Sequence, residues 1–198
     1  MPNKRAEILE KEVVERLIAF TVQRSRIPES DRLKLLLSFK AGLRACEIAR
    51  IRVADMTDAT GRPDRFINVR GGIGKGGKSR TVPMHPAIRD ALEAFIAAHP
   101  TARFVALSTR KRRGRPPAMS ANAITQWFFH LYRAAGLKRC SSHSGRRTFA
   151  TRAARMVGQH NMTLVDVQQW LGHSRLDTTA AYIELSANTH ALVEALYE

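Results

Sequence analysis

One region of this chain keeps a different period from the rest. Across residues 65–84, RFINVRGGIGKGGKSRTVPM, apolar and polar residues alternate on both sides of a glycine-rich centre. That is the period of strands around a hairpin tip. Most other segments repeat their apolar residues every three to four positions, the period of amphipathic helices. A chain of helices with a single hairpin is confined to a mainly α fold with a small antiparallel β-sheet, an α+β architecture.

The periodicity predicts the elements in order. Ile8, Val13, Leu17, Ile18 and Phe20 place a helix over 7–24. Pro28 and Ser30 open a second, whose apolar run Leu33 to Phe39 ends before Gly42, and ACEIARI fits a short third. DATGRPD is a turn. RFINVRG and RTVPM are the two strands, residues 86–98 an alanine-rich helix, and RFVAL a third short strand. STRKRRGRPPAMS is an exposed basic loop. Ser120 caps a helix that Gly136 stops, and further helices are expected at about 143–157, 163–171, 178–186 and 188–197. No repeat and no long linker divides the chain, so residues 1–198 are expected to form one domain.

Charge narrows the function. Lys plus Arg number 33 against 17 Asp plus Glu, a formal net charge of +16. Such an excess repels itself unless a polyanion relieves it, and nucleic acid is the usual one. With 44% hydrophobic and 25% charged residues the composition is that of a folded domain. No apolar run reaches about 18 residues, which excludes a helical membrane span, and the charged start lacks a signal-peptide core. A cytoplasmic location is expected. Cys46 and Cys140 fit no zinc spacing and read as free thiols.

Four stretches carry candidate chemistry. In AGLRACEIARI, Arg44 precedes Glu47 by one helical turn, so the carboxylate can orient the guanidinium toward an anion. In HSGRRTFATRAA, His143 and Arg146 lie three apart, one face of a helix, and an arginine fork suits a phosphate. In GIGKGGKSRTVPM, Lys75 sits at the hairpin tip. Residues 72–79 also fit the phosphate-loop expression G-x-x-x-x-G-K-[ST], but they lead into a strand ending in proline where that loop must open a helix, so the match is rejected. In WLGHSRLDTTAAYIEL, His173 ends one helix, Asp177 caps another starting at Thr178, and Tyr182 falls on its second turn. Alone, the Arg44 and the His143 stretches are outweighed by a plain structural reading, a surface ion pair and a solvated helix face, and Tyr182 on its own stretch reads equally well as an amphipathic aromatic.

Taken in order, AGLRACEIARI, GKGGKSRTVPM, HSGRRTFAT and LGHSRLDTTAAYI resemble the catalytic boxes of the tyrosine recombinase (phage integrase) family over about residues 30–185. The resemblance implies a site-specific recombinase. Tyr182 would attack a DNA phosphodiester, forming a covalent 3′-phosphotyrosyl link and freeing a 5′-hydroxyl. Arg44, Arg146 and His173 would stabilise the phosphorane, Lys75 would protonate the leaving oxygen, and His143 would accept the tyrosine proton or donate to the phosphate. Glu47 would position Arg44. The resemblance implies no cofactor, no metal and no ATP. The partner would be double-stranded DNA, with a free monomer assembling to a tetramer at synapsis and residues 186–198 able to dock on a neighbour. A non-cleaving DNA-binding regulator and a type IB topoisomerase are the competing readings.

Two departures stand out. Gly145 replaces the leucine usual in the third box, which is expected to loosen packing. The N-terminal DNA-clamping domain usual in the family is absent from this sequence, as in short single-domain members; a fragment of a longer integrase is the alternative. DNA contact would then fall to basic surfaces: Lys78 and Arg80 of the hairpin, and Arg110, Lys111, Arg112, Arg113 and Arg115 of the basic loop, whose RGRP resembles an AT-hook core. Tyr132 and Tyr197 are rival nucleophiles, read as core and terminal respectively.

Overall fold

The structure is a computed structural model, and it describes residues 6–72, 79–109, 118–158 and 162–180. Eight helices are seen among these residues: α1 (Lys11–Arg24), α2 (Pro28–Lys40), α3 (Ala45–Arg50), α4 (Pro86–Ala98), α5 (Ala121–Ala134), α6 (Ser144–Arg155), α7 (Leu164–Leu171) and α8 (Leu176–Ala180). A single 3₁₀ turn covers Val53–Asp55. The sheet is one antiparallel pair, β1 (Phe66–Val69) and β2 (Arg80–Pro83), in the register Phe66–Pro83 to Val69–Arg80. The expected α+β architecture is the observed one.

The centre of the fold is α2. Leu33, Leu35, Leu36, Leu37 and Phe39 are all buried, because α1, α3, α4 and α6 surround the helix. A helix covered on every side must be apolar all round, which explains the unbroken run LKLLLSF. Lys34 lies inside that run and is also buried. It pairs with Asp31, donates to Met119 Sδ at 3.3 Å and lies 4.3 Å from the centre of the Trp127 ring. Burial pushes its pKa down, and the Asp31 charge opposes that. Ile67, Val69 and Val82 turn the inner face of the hairpin into the same core.

Several expectations are corrected. RFVAL is not a strand: among the described residues it makes only isolated bridges, Arg52–Phe104 and Leu107–Ala118. The first helix begins at Lys11, not residue 7. Residues 6–9 lie instead along α6, where Thr148 Oγ1 accepts the Leu9 N–H at 3.0 Å, and Arg147 and Arg152 donate to the carbonyls of Ala6 and Leu9. Tertiary hydrogen bonds thus satisfy backbone groups that a longer helix would have used. The last described helix starts at Leu176, and Asp177 is an exposed first-turn residue paired with Arg175 rather than a cap.

Gly145 is the sharpest correction. It does not loosen α6. A Cβ there would run into Ser38 Oγ and Cβ on α2, so the glycine lets the two helices approach closely. Gly145→Ala should therefore destabilise the fold by about 1–3 kcal/mol through overpacking, read as a lower midpoint in urea unfolding at unchanged slope.

Candidate active site

The site is built around the end of one helix. In α7 the chain passes from Leu171 into Gly172, whose φ of 61° is left-handed, the usual way a helix stops. The last carbonyls of a helix have no partner within it and carry the negative end of its dipole. Here the Gln168 carbonyl accepts the His173 N–H at 3.1 Å. The next carbonyls accept arginines. Arg80 Nε donates to the Trp170 carbonyl at 2.7 Å. Arg146 Nη2 and Arg44 Nη1 share the Leu171 carbonyl at 2.5 and 3.4 Å.

A buried carboxylate completes the arrangement. Glu47 is fully buried in the first turn of α3. Its Oε1 accepts Arg80 Nη1 at 2.7 Å and Arg44 Nη1 at 3.1 Å. Its Oε2 accepts Arg80 Nη2 and the Arg44 backbone N–H, both at 2.8 Å. Burial alone would raise the Glu47 pKa. The hydrogen bonds and charge of Arg80, then those of Arg44, outweigh burial and hold the carboxyl below its ordinary value. Arg146 is buried on α6 and gives its second bond to the Gly42 carbonyl at 2.7 Å.

His173 follows the turn. Its Nδ1 lies 2.9 Å from Thr179 Oγ1. Partial burial, then the charges of Arg146, Arg44 and Arg80, lower its pKa from the ordinary 6.5 to about 4. The imidazole is neutral at pH 7.

Sequence reasoning brought Arg44, Glu47, Arg146 and His173 forward, and the structure places them together. His143 differs from expectation. It is the exposed residue preceding α6, not a helical residue sharing a face with buried Arg146. Arg80, read as a surface DNA contact, is turned inward: its side chain is only 9% exposed, and its guanidinium lies on Glu47 and Trp170. Alternation in β2 carried the signal, since Arg80 and buried Val82 share a face. Thr179 was missed, as were the carbonyls of Gly42, Trp170 and Leu171, which no sequence pattern marks. Lys75, Lys78, Arg110, Lys111, Arg112, Arg113, Arg115 and Tyr182 lie outside the described residues. Tyr132 is in the core, as expected: it is 1% exposed and stacks on Phe128. Among the described residues no cluster of metal-binding side chains occurs, and no helix is long and apolar enough to cross a membrane.

Three guanidinia and one neutral imidazole against one carboxylate leave an anion site, suited to a phosphate. The family model described as the phage integrase family matches residues 7–189. The chain belongs to the phage integrase family. It is similar to the tyrosine recombinase XerA of Pyrococcus furiosus, 28% identical over 187 residues, which are 94% of this chain and 60% of that protein. Its fold is similar to a crystal structure of XerA recombinase, with TM-score 0.70, 22% identity, and coverage of 100% of this chain and 67% of that one. It is similar also to the Tn1549 transposon integrase in complex with transposon right end DNA, with TM-score 0.74, 21% identity and coverage of 99% and 67%. The chain spans about 60% of the length of the XerA relative.

The neutral state of His173 gives a prediction. Its lowered pKa favours the fold fully above the ordinary value of 6.5, and this contribution is lost as pH falls from there toward about 4. A phosphodiester placed against Arg44 and Arg146 would offset the positive charge around the ring and favour imidazolium. In histidine NMR titrations the His173 midpoint should therefore move upward on saturation with a short oligonucleotide. A midpoint unchanged at saturation would mean that the anion binds elsewhere.

Proposed function

We propose that this chain is the catalytic domain of a site-specific DNA recombinase that cuts and rejoins DNA through Tyr182. The observation that supports this most directly is the convergence of Arg44, Arg146 and His173 on the end of α7, with Glu47 buried beneath them. In an in-line displacement the Tyr182 oxygen bonds to phosphorus, and the bond from phosphorus to the 5′ oxygen breaks. The non-bridging oxygens gain negative charge, which two guanidinium forks are shaped to stabilise. Lys75 gives a proton to the leaving 5′ oxygen. His143 takes the tyrosine proton or donates to the phosphate. The covalent phosphotyrosyl retains the bond energy, so a 5′-hydroxyl from another duplex reverses the step without ATP.

Double-stranded DNA is the proposed substrate. The net charge of +16 supports this, as does similarity to an integrase seen with transposon right end DNA. Lys78 and the basic cluster from Arg110 to Arg115 are proposed to contact the backbone. Four active sites around two duplexes make a tetramer the working assembly and a monomer the free form.

The test is a nicked duplex that traps cleavage. Wild type should form a covalent adduct visible on a denaturing gel, and Tyr182→Phe should form none. Tyr132→Phe should keep the adduct and change stability by no more than about 0.5 kcal/mol, since the buried Tyr132 hydroxyl has no hydrogen-bond partner among the described residues. Failure of wild type on every candidate site would favour the non-cleaving regulator. Plasmid relaxation without strand joining between duplexes would favour the topoisomerase.

A further inference from the structure

We infer that Arg80 is a positioning residue of the phosphate site, which fixes Arg44 through Glu47 and ties the hairpin to the helix end that carries His173. The inference rests on the reading of the site as a phosphodiester-cleaving centre. It departs from the surface role that the position of Arg80 beside a lysine- and glycine-rich tip suggests.

The geometry carries it. The three nitrogens of the Arg80 guanidinium each make a bond: Nη1 and Nη2 to the two oxygens of Glu47, and Nε to the Trp170 carbonyl. The first pair is the parallel, two-pronged contact that only arginine makes with a carboxylate. It joins β2 to α3, and the third bond joins β2 to α7. Glu47 is completely buried. Without a closely bound cation, burial would favour its neutral form. A neutral or displaced Glu47 would hold the Arg44 guanidinium by a weakened contact, because that group reaches Glu47 through Nη1 alone at 3.1 Å and touches Leu171 at only 3.4 Å.

The surroundings fit the same role. Gly172 packs directly on this arginine, and a Cβ there would lie 3.0 Å from Arg80 Cδ. The glycine that ends α7 therefore also makes room for the side chain that secures that end. A lysine at position 80 could bring the charge but not the planar fork, and one ammonium cannot span both Glu47 oxygens and the Trp170 carbonyl in this geometry.

The experiment compares wild type, Arg80→Lys, Glu47→Gln and the double variant. Each is measured for single-turnover adduct formation on the nicked duplex, for duplex affinity at fixed salt, and for thermal midpoint. Arg80→Lys should slow adduct formation by about 100-fold, the scale of a misplacement near 1 Å, while duplex affinity changes by less than about 3-fold. The double variant should be no slower than the slower single variant, because both act on one chain of contacts. Glu47→Asp, which keeps the charge but withdraws the carboxylate, should reproduce the loss if Arg80→Lys fails to fold. Multiplying effects would overturn the inference. So would affinity falling in step with rate, which marks direct DNA contact, or a lowered thermal midpoint with an unchanged rate per folded molecule. If wild type forms no adduct, the cleavage reading fails by itself. Arg80 is then judged by the Arg44 guanidinium NMR signal, which should broaden in Arg80→Lys; an unchanged signal would overturn the positioning role.

Discussion

A single buried carboxylate makes the rest of this site possible. Three guanidinia within hydrogen-bond reach of one helix end repel one another, and nothing in the hydrophobic core offsets that. Glu47 does, by accepting four charge-assisted hydrogen bonds from Arg44 and Arg80. The last carbonyls of α7, which accept Arg44, Arg80 and Arg146, contribute the partial negative charge of a helix C-terminus. Carboxylate and dipole together do not neutralise the site. They fix the direction of its excess positive charge before any ligand arrives, which is how a site stabilises a transition state without reorganising during the reaction.

This electrostatic frame needs a rigid support. It comes from α2, against which α3 and α6 both pack. Arg44 is carried at the start of α3 and Arg146 on α6. The distance between them therefore depends on how closely those helices sit on α2, and Gly145 against Ser38 is a point of close approach. A residue that reads as a weakness in the third motif is a spacing device.

Much of the fold was legible in the sequence because it follows from local period. The apolar run of α2, the serine that caps α5 and the alternation of the hairpin each specify their element without help from distant residues. What was not legible depends on tertiary partners. The chain before Lys11 looks helical in pattern, yet Thr148, Arg147 and Arg152 hold its backbone along α6. RFVAL has strand composition but finds only isolated bridges. In the site, Arg44, Glu47, Arg146 and His173 were legible because their motifs preserve spacing and order. Arg80 was misplaced because its glycine- and lysine-rich neighbours read as surface, while its own register in β2 points inward.

The neutrality of His173 links these levels. Its imidazole stays uncharged first because it is partly buried, and then because the guanidinia that would orient a phosphate oppose a further positive charge. Charge that would favour a phosphate thus disfavours the proton. A bound phosphate would offset part of that charge and raise the pKa of the ring. The same cluster therefore bears on the protonation state of its neighbour and would set the affinity for an anion. Neither property belongs to His173 alone, and both trace back through Arg44 and Arg80 to the carboxylate of Glu47.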